Sequence, residues 1–330
     1  MAQAADDQAN RSRSGAEFTA VPLTSLRVDS MTSFDIYFRP RLDQPFVLYA
    51  ERNVQFTDAA RQRLVDHNID SVFIRADQLG AYRRYIEGNL PAIISDATIG
   101  MDQKSAFLYG SACGVVESLL EEAPSPDGVR RGKEVVRETV GFMLQDEKVF
   151  GCLLRAISTV YRIYSHSVNV VTYSVALAEH AGHRDPATLR ELAMGALLHD
   201  IGKCKIDPAI LDKPSGLSEN EWEIMRQHPQ IGYDMLATTD SVGEIALDIV
   251  LHHHENMRGD GYPDGLEPER LSPLVRIVTI ADCFDALTTD RPFQEAMTSF
   301  DALSLMGEQI AVALDRDSFR DFVSLMGAVK

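Results

Sequence analysis

The sequence predicts an α+β protein in which a small N-terminal α/β domain precedes an all-α helical bundle. Short apolar runs bounded by Pro and Asp alternate with a helical pattern up to about residue 100, whereas later segments carry apolar residues at helical spacing. A chain of 330 residues exceeds the usual size of one hydrophobic core, which favours two domains. Hydrophobic residues make up 45% and charged residues 25%, an ordinary globular balance.

The first part of the chain predicts a tail and then a domain with strands. Residues 1–17 are polar, with too few apolar side chains to offset the entropy lost on ordering, so a disordered tail is expected. Residues 18–100 contain three strand-like runs, FDIYFRP, PFVLYA and SVFIR, and the helical segment DAARQRLVDHN. A second helix is expected to end near Gly88, before Pro91. We assign this domain to regulation or to homodimer formation.

The rest of the chain is predicted to be helical. Residues 101–150 are expected to form a helical connector interrupted by the Pro- and Gly-rich loop EEAPSPDGVRRG. The bundle is expected over 151–330. Two helix starts are explicit there: Ser218 forms a capping box with Glu221, and Ser272 precedes a proline that opens the helix PLVRIVTIADCFDALTT.

Composition excludes several classes of function. The net charge of −17 opposes broad contact with polymeric nucleic acid, which requires clustered Lys and Arg. The four cysteines have no CxxC pair, so a disulfide framework or zinc ribbon is not expected, and a reducing, cytoplasmic setting fits. The N-terminus lacks an apolar signal core, and no stretch approaches the ~20 apolar residues that span a bilayer. A small phosphate ligand is compatible if metal ions or local cations offset the acidic background.

Histidines and aspartates gather in the second half of the chain. Six of the nine histidines fall between residues 166 and 254, on or at the ends of predicted helices. One helical histidine is usually structural, but His199 and Asp200 together end one apolar helix, and His253 and His254 end another. At a helix end the backbone can turn neighbouring side chains toward one point, where a bidentate carboxylate can bridge two metal ions. His252 has no such role and is interpreted as a structural neighbour.

A carboxylate inside an apolar helix adds to this pattern. Asp282 lies in VRIVTIADCFDAL, where an unpaired buried charge would cost several kcal/mol unless a metal offset it. Asp285 follows on the same face and is placed to orient a histidine ligand. Imidazole and carboxylate ligands without thiolate favour Mn, Fe, Ni, Co or Zn. Two such ions close together clamp a phosphodiester for in-line attack.

These residues resemble the HD superfamily of phosphohydrolases, and specifically its HD-GYP branch. The motifs of that branch are HS, HDxGK, HP, HHExxxGxGYP and DxxDALT. They occur here in the same order, between about residues 150 and 325, as His166-Ser167, His199-Asp200-Ile201-Gly202-Lys203, His228-Pro229, His253-His254-Glu255 through Gly261-Tyr262-Pro263, and Asp282 through Thr288. Five ordered motifs make the resemblance highly specific.

The resemblance implies an HD-type helical bundle and a bacterial signal-transduction enzyme. The implied activity is hydrolysis of cyclic di-GMP, mainly to pGpG, by a hydroxide that two metal ions activate, with Fe or Mn favoured and Ni, Co or Zn as alternatives. The implied metal ligands are His166, His199, Asp200, His228, His253, His254 and Asp282.

Further roles follow from the same resemblance. Asp200 and Lys203 are the implied catalytic residues, with Asp200 bridging the ions and Lys203 at the scissile phosphate. Arg291 is implied to bind phosphate as a fork of donors, and Tyr262 to stack on a base or dock on a partner. From its position alone, and not from the resemblance, Glu255 is either a residue that supports the ligands from outside, as Asp285 is expected to do, or a solvent-facing residue.

One position departs from the family members that hold three metals. They carry a glutamate one helical turn before the first histidine, where this chain has Arg162. Because a guanidinium cannot ligate a cation, two ions are expected, and conversion to pGpG without efficient further hydrolysis to GMP. Arg258 and Gln294 also replace common family residues, which predicts weaker substrate affinity with the ligand set intact.

Two other functions fit the motifs. The first is a signalling adaptor that keeps the fold and binds partners such as GGDEF-type proteins through the GYP loop, with little turnover. The second is an HD phosphohydrolase of another nucleotide, including a mixed cyclic dinucleotide. The intact ligands favour the enzyme over the adaptor, and the GYP loop favours cyclic di-GMP over other nucleotides.

Overall fold

The structure is a computed structural model that describes residues 17–41, 43–121, 125–159, 164–211, 213, 215–238, 241–290 and 295–328. The chain divides into two compact units, Met1–Gly100 and Met101–Lys330. The first unit combines strands and helices, and the described part of the second unit is helical. The predicted α+β fold class, with a small mixed domain before a helical bundle, is confirmed.

Short antiparallel strands form the framework of the first unit. The strands are β1 (Phe18–Pro22), β2 (Ser30–Met31), β3 (Ile36–Phe38), β4 (Val47–Ala50), β5 (Gln55–Phe56) and β6 (Ser71–Arg75). A four-stranded sheet has the order β1-β6-β3-β4, and β2 pairs with β5. In β6 the alternating side chains of Val72 and Ile74 are buried, so one face of this strand joins the core. The three strand-like runs of the sequence are confirmed as β3, β4 and β6.

Two helices complete the first unit, α1 (Asp58–Asp66) and α2 (Leu79–Ser95). The expected end of α2 near Gly88 is wrong, because the helix runs through Pro91 to Ser95. A proline inside a helix removes one backbone hydrogen bond, which costs about 3 kcal/mol. Leu90 and Ile93 on either side of the proline are fully buried, and their burial stabilises the continued helix by a comparable amount.

The described part of the second unit contains twelve α-helices. They are α3 (Met101–Glu121), α4 (Pro126–Met143), α5 (Lys148–Thr159), α6 (Ser165–His180), α7 (Pro186–Leu198), α8 (Pro208–Leu211), α9 (Glu219–Met225), α10 (His228–Ala237), α11 (Glu244–His252), α12 (Pro273–Thr288), α13 (Ser299–Leu305) and α14 (Arg316–Ala328). The centre is α6, which packs against α3, α7 and α12, and α7 in turn packs against α4 and α11. None of the described helices combines the length and the apolar character needed to cross a bilayer.

Local sequence signals place the ends of several helices. The capping box of Ser218 and Glu221 is present at the start of α9, and the Ser272 hydroxyl accepts a hydrogen bond from Leu274 N at the start of α12. Both predicted helix starts are therefore confirmed. A 3₁₀ turn, Ile201–Lys205, follows α7 and lies directly against α10.

Gly202 allows this close contact. A Cβ atom at position 202 would overlap the carbonyl oxygen of His228, which begins α10. The absence of a side chain lets the turn after α7 lie on the backbone of α10. The glycine of the HDxGK motif thus brings the first residue of α10 next to the last residues of α7.

Candidate metal centre

Three histidines lie at helix ends, and each is oriented by a helical turn close to it in sequence. The Nδ1 atoms of His199, His228 and His253 lie 2.8, 2.8 and 3.0 Å from the backbone carbonyl oxygen three residues earlier. A carbonyl oxygen only accepts, so each Nδ1 carries a proton and donates. These carbonyls belong to the last turns of α7, α9 and α11, where the helix supplies few N–H partners. In the neutral ring each Nε2 then keeps its lone pair.

The seven residues that the sequence predicts as ligands come together in two groups. Within each group, one candidate ligand atom per residue lies within 4.8 Å of the others. The first group is Asp200, His228, His253 and His254, and the second is His166, His199 and Asp282. The structure places these side chains side by side, and their role as ligands stays a prediction.

Asp200 faces both groups. Its Oδ1 lies 3.3 Å from His228 Nε2 in the first group, and its Oδ2 lies 3.4 Å from His199 Nε2 in the second. A carboxylate with one oxygen toward each group has the geometry to bridge two ions. Lys203 Nζ also lies 2.6 Å from Asp200 Oδ2, so this oxygen has a cationic neighbour on its outer side.

Several buried polar atoms in the two groups have no protein partner that satisfies them. Among the described residues, His199 Nε2 and Asp200 Oδ1 are buried without a hydrogen bond. The Nε2 atoms of His228 and His253 lie 3.2 Å apart although both rings donate through Nδ1, so two lone pairs face each other. Such unpaired groups cost free energy that a cation in contact with them would remove. The donor set fits a transition metal, since it consists of imidazole and carboxylate.

The protonation states of the centre also fit cation binding. Burial would raise the pKa of Asp200, but Lys203 and His199 hold it well below its usual range. Burial lowers the pKa of His253 well below its ordinary value and lowers that of His254 to about 4. An ionised carboxylate and neutral imidazoles are the forms that ligate metals.

His166 lies between two carboxylates. Its Nε2 is 3.1 Å from Asp282 Oδ1, and its Nδ1 is 2.7 Å from Asp285 Oδ2. Burial would lower the pKa of His166, but the two carboxylates outweigh it and raise the pKa to about 10. The two carboxylates therefore favour the protonated ring, and ligation of a cation through Nε2 requires the loss of the proton at that atom. Asp285 is fully buried, on the side of the ring away from Asp282.

The segment that follows the histidine pair is irregular, and it is held by the buried carboxylate of Glu255. Glu255 accepts hydrogen bonds from the backbone N–H groups of Asp264, Gly265 and Leu266, at 2.7, 2.9 and 3.0 Å. The Tyr262 ring lies over His254, with ring centroids 4.7 Å apart and planes 30° apart. Glu255 therefore supplies ordering contacts to this loop.

Other predicted positions lie elsewhere. His252 is turned away from both groups and bonds to Asp248 and Asp264, at 2.7 and 3.2 Å. Arg162, Arg291 and Gln294 lie outside the described residues, so the predictions made for them stay predictions.

Sequence reasoning did not identify three residues around the centre. Asn169 Nδ2 donates to Asp285 Oδ1 at 2.8 Å, and Tyr109 donates to Asn169 Oδ1 at 2.7 Å. A signal for Asn169 was present, since it is a polar residue one helical turn after His166 in an apolar helix. The guanidinium of Arg226 lies 5.8 Å from the centre of the Tyr262 ring, at the exposed edge of the site.

This fold and this site define a class of protein. A helical bundle whose helix ends supply clustered histidines and aspartates is the architecture of the HD domain, and a model of that domain matches residues 155–317. Residues 155–317 belong to the HD domain family, and the ordered motifs of this part of the chain, including Gly261-Tyr262-Pro263, resemble those of the HD-GYP branch. Phosphohydrolases of this kind are metal-dependent.

Particular relatives share large parts of the sequence. The chain is 33% identical over 243 residues, or 72% of its length, to a cyclic di-GMP phosphodiesterase of Pseudomonas aeruginosa. It is 39% identical over 146 residues, 44% of its length, to a cyclic di-GMP phosphodiesterase response regulator of Xanthomonas campestris. A 3'3'-cGAMP-specific phosphodiesterase of Vibrio cholerae is 34% identical over 179 residues, 53% of the chain. The chain spans 58%, 37% and 38% of these relatives, less than two thirds of each.

A solved structure has the same fold along nearly the whole chain. An HDG"Y"P protein from Bdellovibrio bacteriovorus superposes with a TM-score of 0.65 at 21% sequence identity. The superposition covers 94% of this chain and 100% of that protein. At this level of identity the comparison establishes the shared fold.

Proposed function

We propose that this chain is a metal-dependent phosphodiesterase that hydrolyses cyclic di-GMP, with pGpG as its main product. The observation that carries the proposal is the position of Asp200, whose two oxygens face two separate groups of buried imidazole and carboxylate donors. The names of the relatives in Pseudomonas aeruginosa and Xanthomonas campestris support the choice of substrate.

The two groups would hold two divalent ions, Fe or Mn by preference, with Asp200 shared between them. Bound there, the ions supply Lewis acidity and lower the pKa of a water molecule for attack on phosphorus. Helix-end carbonyls accept from Nδ1 of three of the imidazoles and so fix the direction of each ring and of its Nε2 atom. The chain therefore presents ligand atoms that need little rearrangement, which is how preorganised sites lower a reaction barrier.

Lys203 is the chain's own positive charge beside the reacting phosphate. Its ammonium group contacts Asp200 Oδ2 at 2.6 Å and is partly exposed, so it lies between the buried centre and the solvent from which substrate arrives. From that position it would donate to a nonbridging phosphate oxygen and stabilise charge that develops there. Lys203 orients Asp200 in the free enzyme and phosphate in the complex.

Tyr262 and Arg226 are the proposed contacts for the rest of the substrate. Tyr262 lies over His254 beside the first group, and the guanidinium of the exposed Arg226 lies 5.8 Å from the centre of the Tyr262 ring. An aromatic ring next to a guanidinium matches the flat base and the anionic phosphate of a cyclic dinucleotide. Arg291 is proposed as a further phosphate contact on the basis of its motif.

Two ions rather than three are proposed for this chain. The seven donors of the described residues fall into two groups, and Arg162 replaces the glutamate of the three-metal members. A product that stops mainly at pGpG follows from that interpretation.

The test is a turnover assay on the full chain loaded with Mn²⁺ or, anaerobically, Fe²⁺. The wild type is expected to convert cyclic di-GMP to pGpG, and Asp200→Ala to lose activity by more than about 1,000-fold, because the shared ligand of both ions is removed. His180→Ala, which removes an exposed histidine at the end of α6, is the matched control and should keep full activity. Turnover that is unchanged by metal removal or by Asp200→Ala would refute the proposal, and the complete absence of turnover would favour the adaptor.

The similarity to the Vibrio cholerae enzyme supports a second candidate substrate, 3'3'-cGAMP. Both cyclic dinucleotides present the same phosphodiester to the metal centre, so they differ only at one base. Equal amounts of each substrate in one reaction, followed by separation of the products, would compare the two values of kcat/KM directly. A ratio that favours 3'3'-cGAMP would replace cyclic di-GMP in the proposal and leave the chemistry unchanged.

A further inference from the structure

A buried chain of hydrogen bonds leads from helix α3 to the candidate ligand His166. The Tyr109 hydroxyl donates to Asn169 Oδ1 at 2.7 Å, and Asn169 Nδ2 donates to Asp285 Oδ1 at 2.8 Å. Asp285 Oδ2 in turn lies 2.7 Å from His166 Nδ1. The three supporting residues, Tyr109, Asn169 and Asp285, are buried to within 2% of full burial.

The carboxylate sets the direction of every bond in this chain. Asn169 turns its NH₂ group toward Asp285 Oδ1, which leaves the amide oxygen facing Tyr109. The hydroxyl of Tyr109 must then donate, and burial raises its pKa, so it keeps its proton. Reversal of the amide would set an N–H group against a hydroxyl and an oxygen against a carboxylate. The arrangement therefore has one satisfied orientation.

We propose that Tyr109 and Asn169 are positioning residues that, through Asp285, fix the ring of His166 with its Nδ1 proton held and its Nε2 directed at the ion of the second group. The inference rests on the proposed metal centre and adds to it a residue of α3, which precedes the matched HD domain. Partners of this type orient metal-ligating histidines and keep Nδ1 protonated. Here the support extends two residues beyond the carboxylate.

His166 needs this support more than His199, His228 and His253 do. His199, His228 and His253 are oriented by carbonyls three residues earlier in the chain, whereas the Nδ1 atom of His166 has its partner on α12. Asp285 has two bonded oxygens, one toward His166 and one toward Asn169. Without Asn169 the carboxylate is free to rotate, and the ring that it holds loses its fixed direction.

The test is a titration of the metal-free full chain with Mn²⁺ by calorimetry. Tyr109→Phe removes one hydroxyl and should weaken one of the two binding events by about 10-fold, while Asn169→Ser, too short to span Tyr109 and Asp285, should weaken it by about 10- to 100-fold. The other binding event should stay close to the wild-type affinity. Thr139→Val removes a buried hydroxyl of α4 that donates to the Val135 carbonyl of its own helix; it is the matched control and should leave both affinities unchanged.

Thermal unfolding of the metal-free variants separates positioning from folding, because a purely structural role lowers the midpoint without changing metal affinity. Wild-type affinity for both ions in Tyr109→Phe and Asn169→Ser would overturn the inference. An equal loss of affinity in Thr139→Val would overturn it too, since the Tyr109 hydroxyl would then act only through packing. A wild-type chain that binds no Mn²⁺ would instead refute the metal centre of the proposed function, and this inference with it.

Discussion

The Glu255 carboxylate holds residues 264–266 of the loop that follows the histidine pair. Replacing this glutamate by the isosteric glutamine should therefore lower the local stability of the loop. In Glu255→Gln the amide oxygen still accepts from Asp264 and Gly265, but its NH₂ group faces the N–H of Leu266. Two charge-assisted bonds become neutral, which costs about 1 kcal/mol each, and the Leu266 N–H, which is only part-buried, loses its acceptor at a cost of about 1 kcal/mol. We expect the loop to lose about 3 kcal/mol of local stability.

Amide hydrogen exchange measures this loss residue by residue. Because each 1.4 kcal/mol is about tenfold, the N–H groups of 264–266 should exchange about 100-fold faster in Glu255→Gln, with α11 unaffected. Glu267→Gln removes an exposed carboxylate close to the same loop and is the control. Unchanged exchange at 264–266 in Glu255→Gln would show that the loop is held by other contacts and that the reasoning from its carboxylate is wrong.

Three further predictions concern folding and metal binding. Gly202→Ala should lower the free energy of unfolding of the second unit by at least about 3 kcal/mol in urea, because the new Cβ atom meets backbone atoms. Gly141→Ala, at an open position of α4, is the control and should raise the free energy of unfolding by about 0.5–1 kcal/mol. Equal effects of the two substitutions would contradict the close contact at Gly202. Asp96→Ala removes bonds from Thr98 and Arg27 and should cost about 2 kcal/mol. The pKa of Asp96 is lowered by those bonds, so its contribution should be complete above about pH 4 and lost as the pH falls further; a pH-independent difference from wild type would contradict this. Mn²⁺ at 1,000 times Kd should stabilise the chain by about 4 kcal/mol and raise Tm by about 8–16 °C, and an unchanged Tm would contradict metal binding.

The seven candidate ligands were predictable because their signals are local. Each sits in a short motif at a helix end or inside an apolar helix, where an imidazole or carboxylate is out of place unless it has a function. The strands were predictable for a similar reason, since the alternation in SVFIR specifies a half-buried strand. These features require knowledge of only a few neighbouring residues.

Features that depend on distant contacts were not predictable. The helix α2 continues past Pro91 because the residues around the proline are buried, and burial is a property of the folded unit. Tyr109 gives no sign in α3 that its hydroxyl meets Asn169, 60 residues later. The sequence is also compatible with Glu255 as a surface residue, and only the folded loop shows that its carboxylate is buried. In each case tertiary structure decides what local pattern leaves open.

Carbonyls close in sequence orient His199, His228 and His253, whereas a distant carboxylate orients His166. The two groups of the metal centre should therefore differ in how easily they lose their ions. Three imidazoles are held by carbonyls only three residues away, so each helix end carries its ligand in a set direction whenever that turn forms. His166 takes its direction from Asp285, 119 residues later in the chain, and so depends on the assembled bundle. Heat, denaturant or a core substitution that loosens α3, α6 or α12 should therefore release one ion before the other. Such a protein would stay folded and half-loaded, with an intact first group and no second ion to share Asp200.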